Sequence, residues 1–253
     1  MRAFFSNILL WLCKRFLRVE RSQSEVFVPE VENDELSNVW FISDLHIGHK
    51  NIIRHQAARK EIMGLKDEDD VETHDKYILD MWNRTLKRGD IVYILGDLIM
   101  MNKEQTRKVL HKMKANGVKI HLVVGNHDKS SQKLPEMFES MEQIKVVDFK
   151  KSVYPFLDED FPVVMCHYPL ATWPRKANGA LHLFGHVHQN APFINFGVTE
   201  GDLMLNVGLD APFANYGLIN LTTIYKWYKH KISGNKPKQY IDLFSAINPN
   251  FVR

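Results

Sequence analysis

The sequence predicts an α/β domain, and three observations carry that reading. Short apolar runs alternate with longer stretches of helical periodicity, turn residues punctuate the alternation, and the apolar runs repeatedly end in Asp, Asn or His. "VWFISD" (39–44) reads as a strand that ends in a carboxylate. "VETHDKYILDMWNRTLK" (71–87) places Tyr77, Ile78, Met81, Trp82 and Leu86 at helical spacing, and Gly89 stops the helix. "DIVYILGD" (90–97) is the next strand, again ending in Asp. Asn102 and Gln105 form a capping-box pattern opening a helix that buries Val109, Leu110 and Met113 and ends at Asn116-Gly117. "VKIHLVVGNHD" (118–128), "FPVVMCH" (161–167), "ALHLFGH" (180–186) and "LMLNVG" (203–208) read as further strands. "NLTTIYKWYKHKI" (220–232) reads as a closing helix, with Leu221, Ile224, Tyr228 and Ile232 in register.

Composition narrows the class. The 253 residues, 45% hydrophobic and 25% charged, suffice for one large domain with a buried core or for two small ones. A net charge of +3 suits an anionic partner but falls well short of the basic balance of a broad nucleic-acid surface. Two cysteines, Cys13 and Cys166, make no disulfide framework, which predicts a reducing, cytoplasmic setting.

Residues 1–37 are expected to form an amphipathic helix and a linker ahead of a domain at 38–232, with 233–253 as a tail. On the helix, Phe5, Leu9, Leu12 and Phe16 share one face, while Asn7, Lys14, Arg15 and Arg18 gather opposite, with Trp11 near the polar side. The apolar stretch is too short to span a bilayer and lacks a signal-cleavage site. Two readings stand: a helix docked on the protein's own body or a twin subunit, or peripheral membrane contact through residues 1–20 on an anionic surface. Residues 21–37 are acidic and aperiodic, as a linker is.

The chemistry sits at the strand ends. Five strands end in Asp or His or run straight into Asn and His, and the carboxyl ends of strands in α/β sheets open onto the ligand crevice. Side by side, these strands would bring Asp44, His46, Asp97, Asn126, His127, His167, His186 and His188 together. In "GHVH" (185–188) the two histidines stand on alternate positions, so in an extended segment both rings share a face. Each residue alone has a bland reading as a core histidine, a helix cap or a turn residue. Together, imidazoles, carboxylates and an amide oxygen call for a counter-charge, and mixed N/O ligands suit Mn, Fe, Zn or Co better than Ca or Mg. A carboxylate can bridge, so one shared Asp yields a dinuclear site able to clamp both oxygens of a phosphoryl displacement.

"DLH" (44–46), "GD" (96–97), "GNHD" (125–128), "CH" (166–167) and "GHVH" (185–188), in that order, resemble the five signature blocks of the calcineurin-like metallophosphoesterases. "FISDLHIGHKNII", "CHYPLATW" and "NVGLD" further resemble a small bacterial and phage branch of that family. The resemblance covers residues 38 to about 210. It implies a four-layer α-β-β-α sandwich with two mixed β-sheets face to face. It implies two divalent ions, Mn first, with Fe, Zn, Ni or Co as alternatives. Asp44, His46 and His188 would hold the first ion, Asn126, His167 and His186 the second, and Asp97 would bridge. His127 would assist the leaving group, with Asp128 orienting its ring. The implied reaction is hydrolysis of a phosphate ester, a phosphodiester or nucleotide-type substrate preferred, by a hydroxide bridging the metals.

Weaker candidates for substrate contact are His49 and Arg54, past the first block, and Arg175 in "TWPRK", whose guanidinium suits phosphate oxygens. A nuclease or a membrane-lipid phosphohydrolase on the same core is the alternative reading, and a metal-binding scaffold without activity is a further one.

Overall fold

The computed structural model describes residues 39–189 and 203–233. The expected N-terminal helix and linker, and all of the tail but its first residue, lie outside the described residues. Two mixed sheets pack face to face, flanked by helices, as the resemblance implies. The first contains β1 (Val39–Ile42), β2 (Ile91–Ile94), β3 (Lys119–Val123), β4 (Ser140–Glu142) and β9 (Ile219–Asn220), in the order β4-β3-β2-β1-β9. Strands β1 to β4 are parallel, and β9 runs antiparallel to β1. The second sheet has the order β5-β6-β7-β8, from β5 (Ile144–Phe149), β6 (Phe161–Cys166), β7 (Leu181–Phe184) and β8 (Met204–Asn206). Its strands β6, β7 and β8 are parallel and β5 is antiparallel at the edge.

Alternation along the strands builds two cores. Phe41, Tyr93 and Leu95 point inward to meet Val163, Met165, Leu181 and Leu183 of the other sheet. Their neighbours Ile42, Val92, Ile94, Ile120 and Leu122 point outward, under α1 (Ile52–His55), α2 (Ala58–Met63), α3 (Val71–Thr85) and α4 (Lys103–Lys114). Trp82 of α3 is fully buried and donates its Nε1–H to the Met113 carbonyl at 2.9 Å, which locks α3 onto α4. The predicted cap forms, with Asn102 accepting the Gln105 amide at 2.9 Å. Helix α5 (Leu221–Ile232), capped by Asn220, closes the gap between the sheets with Tyr225 and Tyr228 against Phe161. The outer face of the second sheet buries Val164, Phe184 and Met204 beneath Trp173 from the segment after β6.

This topology places the functional ends. Four parallel strands of one sheet and three of the other deliver their carboxyl ends to one rim, and the isolated bridge Ser43↔Gly208 ties the sheets together there. Among the described residues, no helix is long and apolar enough to cross a membrane.

Candidate metal centre

At that rim, two groups of side chains converge. Asp44, His46 and His188 form one, and Asp97, His167 and His186 form the other, each with its ligand atoms within 4.8 Å of one another. Asp97 stands between them. Its Oδ2 lies 3.6 Å from His46 Nε2 of the first group and 3.4 Å from His167 Nε2 of its own. Asn126 joins the second group, its Oδ1 3.0 Å from His167 Nε2.

The backbone is bent to achieve this. Asp44, His46, Asp97, His186 and His188 all have φ between 51° and 70°, five of the eight non-glycine residues with positive φ among those described. Left-handed backbone costs an L-residue roughly 1–2 kcal/mol, and such strain gathers where a side chain must be aimed. The sequence expectation that His186 and His188 sit on an extended segment is corrected here. Both lie on a turn past β7, and the turn sends His188 to the first group and His186 to the second. Glycines in the signature blocks leave room for this crowding. A Cβ on Gly96, itself at φ +93°, would lie 2.6 Å from His167 Nδ1, and one on Gly185 would lie 2.4 Å from Asp44 Oδ2.

Hydrogen bonds fix which ring atom faces the centre. His188 Nδ1 donates to the Asp210 carboxylate at 2.9 Å, and His167 Nδ1 donates to the Leu95 carbonyl at 2.8 Å. Each ring thereby turns Nε2 inward, the arrangement that second partners impose on metal-ligating histidines. His167 Nε2 then faces two oxygens, from Asn126 and Asp97. His46 is 2% exposed, and among the described residues neither of its ring nitrogens has a hydrogen-bond partner. Buried polar atoms are rarely left so. Inward lone pairs and carboxylates around an orphaned imidazole fit cations, and the residues present fit two.

The electrostatics agree. Burial pushes the Asp44 carboxyl above its usual range, which a neighbouring cation would reverse. Burial would raise Asp97 too, but His167 and the His127 amide outweigh it and hold that carboxyl low. Burial pulls His167 and His188 down, yet Asp97 for the one and Asp210 for the other outweigh it and lift both above the ordinary imidazole value. Carboxylates here draw positive charge inward, as protons when nothing else is bound. Burial, then Arg59 and the surrounding rings, drives His46 far below its ordinary value. Its ring stays neutral, as a ligand must be.

The remaining sequence candidates divide. His127 stands over the centre with its side chain 38% exposed and Nε2 4.0 Å from Asp97 Oδ2. His49 lies beside it, ring centroids 5.8 Å apart, and 5.2 Å from His46. Asp128 does not orient the His127 ring as expected. It is buried, and its carboxylate accepts the backbone amides of Asp97, Leu98 and Gly125 at 2.8–2.9 Å, so it shapes the loops that carry Asp97 and Asn126. Arg54 is turned onto Asp69 at 2.7 Å and Glu68 at 3.7 Å, on an exposed acidic loop. Arg175 pairs with Asp148, which is opposite Pro162 at the start of β6, whereas the centre lies beyond the end of that strand. At ~3.3 Å per strand residue the separation exceeds the reach of an arginine.

Three residues escaped the sequence reading. Arg59, Asp210 and His74 are buried directly behind the first group. Asp210 was visible only as the last letter of "NVGLD". An arginine as the second residue of "ARKEIM" looks like any helix-surface cation.

Comparison with known proteins follows the same line. The family model for calcineurin-like phosphoesterases matches residues 37–190. The Gene 66 protein of Mycobacterium phage L5 is 37% identical over 93 residues, 37% of this chain and 41% of that relative. This chain therefore spans less than half the length of that relative. An uncharacterized protein of Methanocaldococcus jannaschii is 27% identical over 195 residues, 76% of this chain and 91% of the relative. A solved structure of a protein of unknown function from Aquifex aeolicus matches with a TM-score of 0.54 at 24% identity, covering 75% of this chain and 98% of that one, and shows the shared fold.

Proposed function

This chain belongs to the calcineurin-like phosphoesterase family, and from that premise we propose that it is a dinuclear-metal-dependent phosphoesterase hydrolysing phosphodiester or nucleotide-type substrates. The observation that carries the reading is Asp97, held within 3.4–3.6 Å of a histidine of each group. Bound there, two divalent ions, Mn by preference, would supply Lewis acidity toward the phosphoryl oxygens and ready a water for attack. Asp44, His46 and His188 would hold one ion and Asn126, His167 and His186 the other, with Asp97 within reach of both.

His127 is the proton donor. It is half-exposed and adjoins the Asp97 carboxylate, and Asp128 accepts backbone amides in place of a ring N–H, so the His127 ring is free to face the leaving oxygen. His49, beside His127, contacts the substrate. Burial, with His127 and His55 nearby, holds its ring below the ordinary imidazole value. The preference for a diester follows from what surrounds the centre. A monoester approaches two negative charges at neutral pH and calls for a fixed guanidinium clamp. Both arginines expected in that role are held on carboxylates elsewhere, while imidazoles flank the centre.

The test is turnover of bis(4-nitrophenyl) phosphate against 4-nitrophenyl phosphate by Mn-loaded protein. Faster diester turnover is expected. His127→Ala should keep both ions by elemental analysis while kcat falls about 10²-fold or more. Two bound ions with neither ester cleaved would instead make the chain a metal-binding scaffold, and full activity in His127→Ala would remove the role given to that ring.

A further inference from the structure

We propose that Arg59 and Asp210 are positioning residues for the first metal subsite, holding His188 from one side and the turn bearing Asp44 and His46 from the other. This rests on the reading that the two groups hold metal ions. Arg59 lies on α2 and Asp210 lies 151 residues later, and both side chains are wholly buried. Asp210 Oδ2 accepts from Arg59 Nε at 3.2 Å and Nη2 at 3.0 Å, while the carboxylate also accepts His188 Nδ1–H. Two donors from one guanidinium pin Oδ2, and the pinned carboxylate, with both oxygens 2.9–3.0 Å from His188 Nδ1, orients the imidazole.

Two of the three remaining donors of Arg59 go to the turn that bears Asp44 and His46. Nη2 donates to the Asp44 carbonyl at 2.7 Å and Nη1 to the Leu45 carbonyl at 3.1 Å. Asp44 and His46 both have left-handed backbone, so these carbonyls stand where an uncapped chain would relax. Nη1 also reaches His74 Nε2 at 2.9 Å. A guanidinium has no acceptor, so His74 Nε2 accepts and its Nδ1–H donates to Asp75 Oδ1 at 2.9 Å. Asp75 Oδ1 accepts the Gly48 amide at 2.9 Å. One buried cation thus reaches three features of the first subsite: the ring of His188, the Asp44 and Leu45 carbonyls between Asp44 and His46, and, through His74 and Asp75, the exit of the turn at Gly48. Among the described residues no buried guanidinium or ammonium takes this part behind the second subsite.

Mn titration in backgrounds that isolate each subsite tests this. Wild-type protein should take up two ions. In a His186→Ala background the remaining ion reports the first subsite, and adding Asp210→Asn should weaken it about 10–100-fold. In a His46→Ala background the remaining ion reports the second subsite, and the same substitution should shift it less than about twofold. Circular dichroism of the metal-free variants checks folding. Should Asp210→Asn fail to fold, Arg59→Lys keeps the charge, loses the fork, and should show the same selectivity with a smaller shift. Equal weakening in both backgrounds, or none in the first, overturns the positioning role. A wild-type chain that takes up no ion overturns the metal reading and this proposal with it.

Discussion

Behind His188 stands a carboxylate gripped by a buried guanidinium, whereas behind His167, among the described residues, stands the neutral Leu95 carbonyl. Both partners turn Nε2 toward the centre, and they do so by different physics. The first brace is built from charge and anchored in the helical layer, through Arg59 on α2 and His74 on α3. The support behind His167 is built from neutral groups and anchored in the sheets. His182 of β7 takes part in it: Nδ1–H donates to the Val164 carbonyl at 3.1 Å, and Nε2 accepts the Leu170 amide at 3.1 Å. That fixes the segment leaving His167. A charged brace resists rearrangement because breaking it strands an ion in low dielectric. A neutral brace strands no charge when it opens, but it depends on its imidazole staying unprotonated.

The largest expected effect tests the charged side. Arg59→Met fills a similar volume and leaves the Asp210 carboxylate buried without its cation. Removing one partner of a buried ion pair costs about 3–5 kcal/mol, and urea unfolding of the metal-free protein should show a loss of that size. A loss under about 1 kcal/mol would mean that the charged brace carries no more than a surface pair, and the contrast between the two subsites would fail.

That brace also marks where sequence reading stops. The strand tips were legible because each carries its chemistry on a short apolar run, and the alternation that fills both cores follows from a period of two. Asp44, His46, Asp97, His167, His186 and His188 all converge as the resemblance implied. Strand β9, two residues long, has too few positions to show a period; in the sequence Ile219 falls to no element and Asn220 reads as the start of the helix that follows. The role expected of Asp128 failed for another reason. Adjacency to His127 suggested a contact, but the chain at Gly125 turns so tightly that the carboxylate reaches amides from two strand ends first. Arg59 was invisible because its partner is 151 residues away, and nothing local distinguishes a buried arginine from an exposed one.

Acid should separate the two braces. Burial pulls the His182 imidazole down to about 4 from its ordinary 6.5. The unfolded chain therefore takes up the proton first, so this group's contribution to stability is complete above pH 6.5 and is lost as pH falls toward 4. At 1.36 kcal/mol per unit the loss is ~3 kcal/mol. For Asp210, burial raises the carboxyl, but Arg59 and His188 outweigh it and leave it below the usual range. Its contribution is complete above the unfolded carboxylate value and is lost only in stronger acid. Comparing wild type with His182→Gln in urea unfolding at pH 7 and pH 4 isolates the neutral brace. The variant should lose ~3 kcal/mol less than wild type over that interval, and parallel losses would refute the assignment.

What the two subsites share should respond alike in both. His46 and His186 have φ of 53° and 70°, one in each group, so each pays for left-handed backbone whatever stands behind it. Replacing either with Ala or with Gly removes the same imidazole and leaves the same local space. The two variants then differ in the freedom of the backbone, with Gly adopting this region at no steric cost and Ala opposed by its Cβ. The Gly variant should be more stable than the Ala variant by ~1 kcal/mol at each position, since the strain relieved exceeds the entropy that Gly adds to the unfolded chain. Metal-free protein is the right sample, because bound ions would mask the backbone contribution with their own. An Ala variant as stable as Gly at His46 alone would mean that Arg59, through the Asp44 and Leu45 carbonyls, has made left-handed backbone the local minimum there, and the charged brace would then reach into the chain conformation itself.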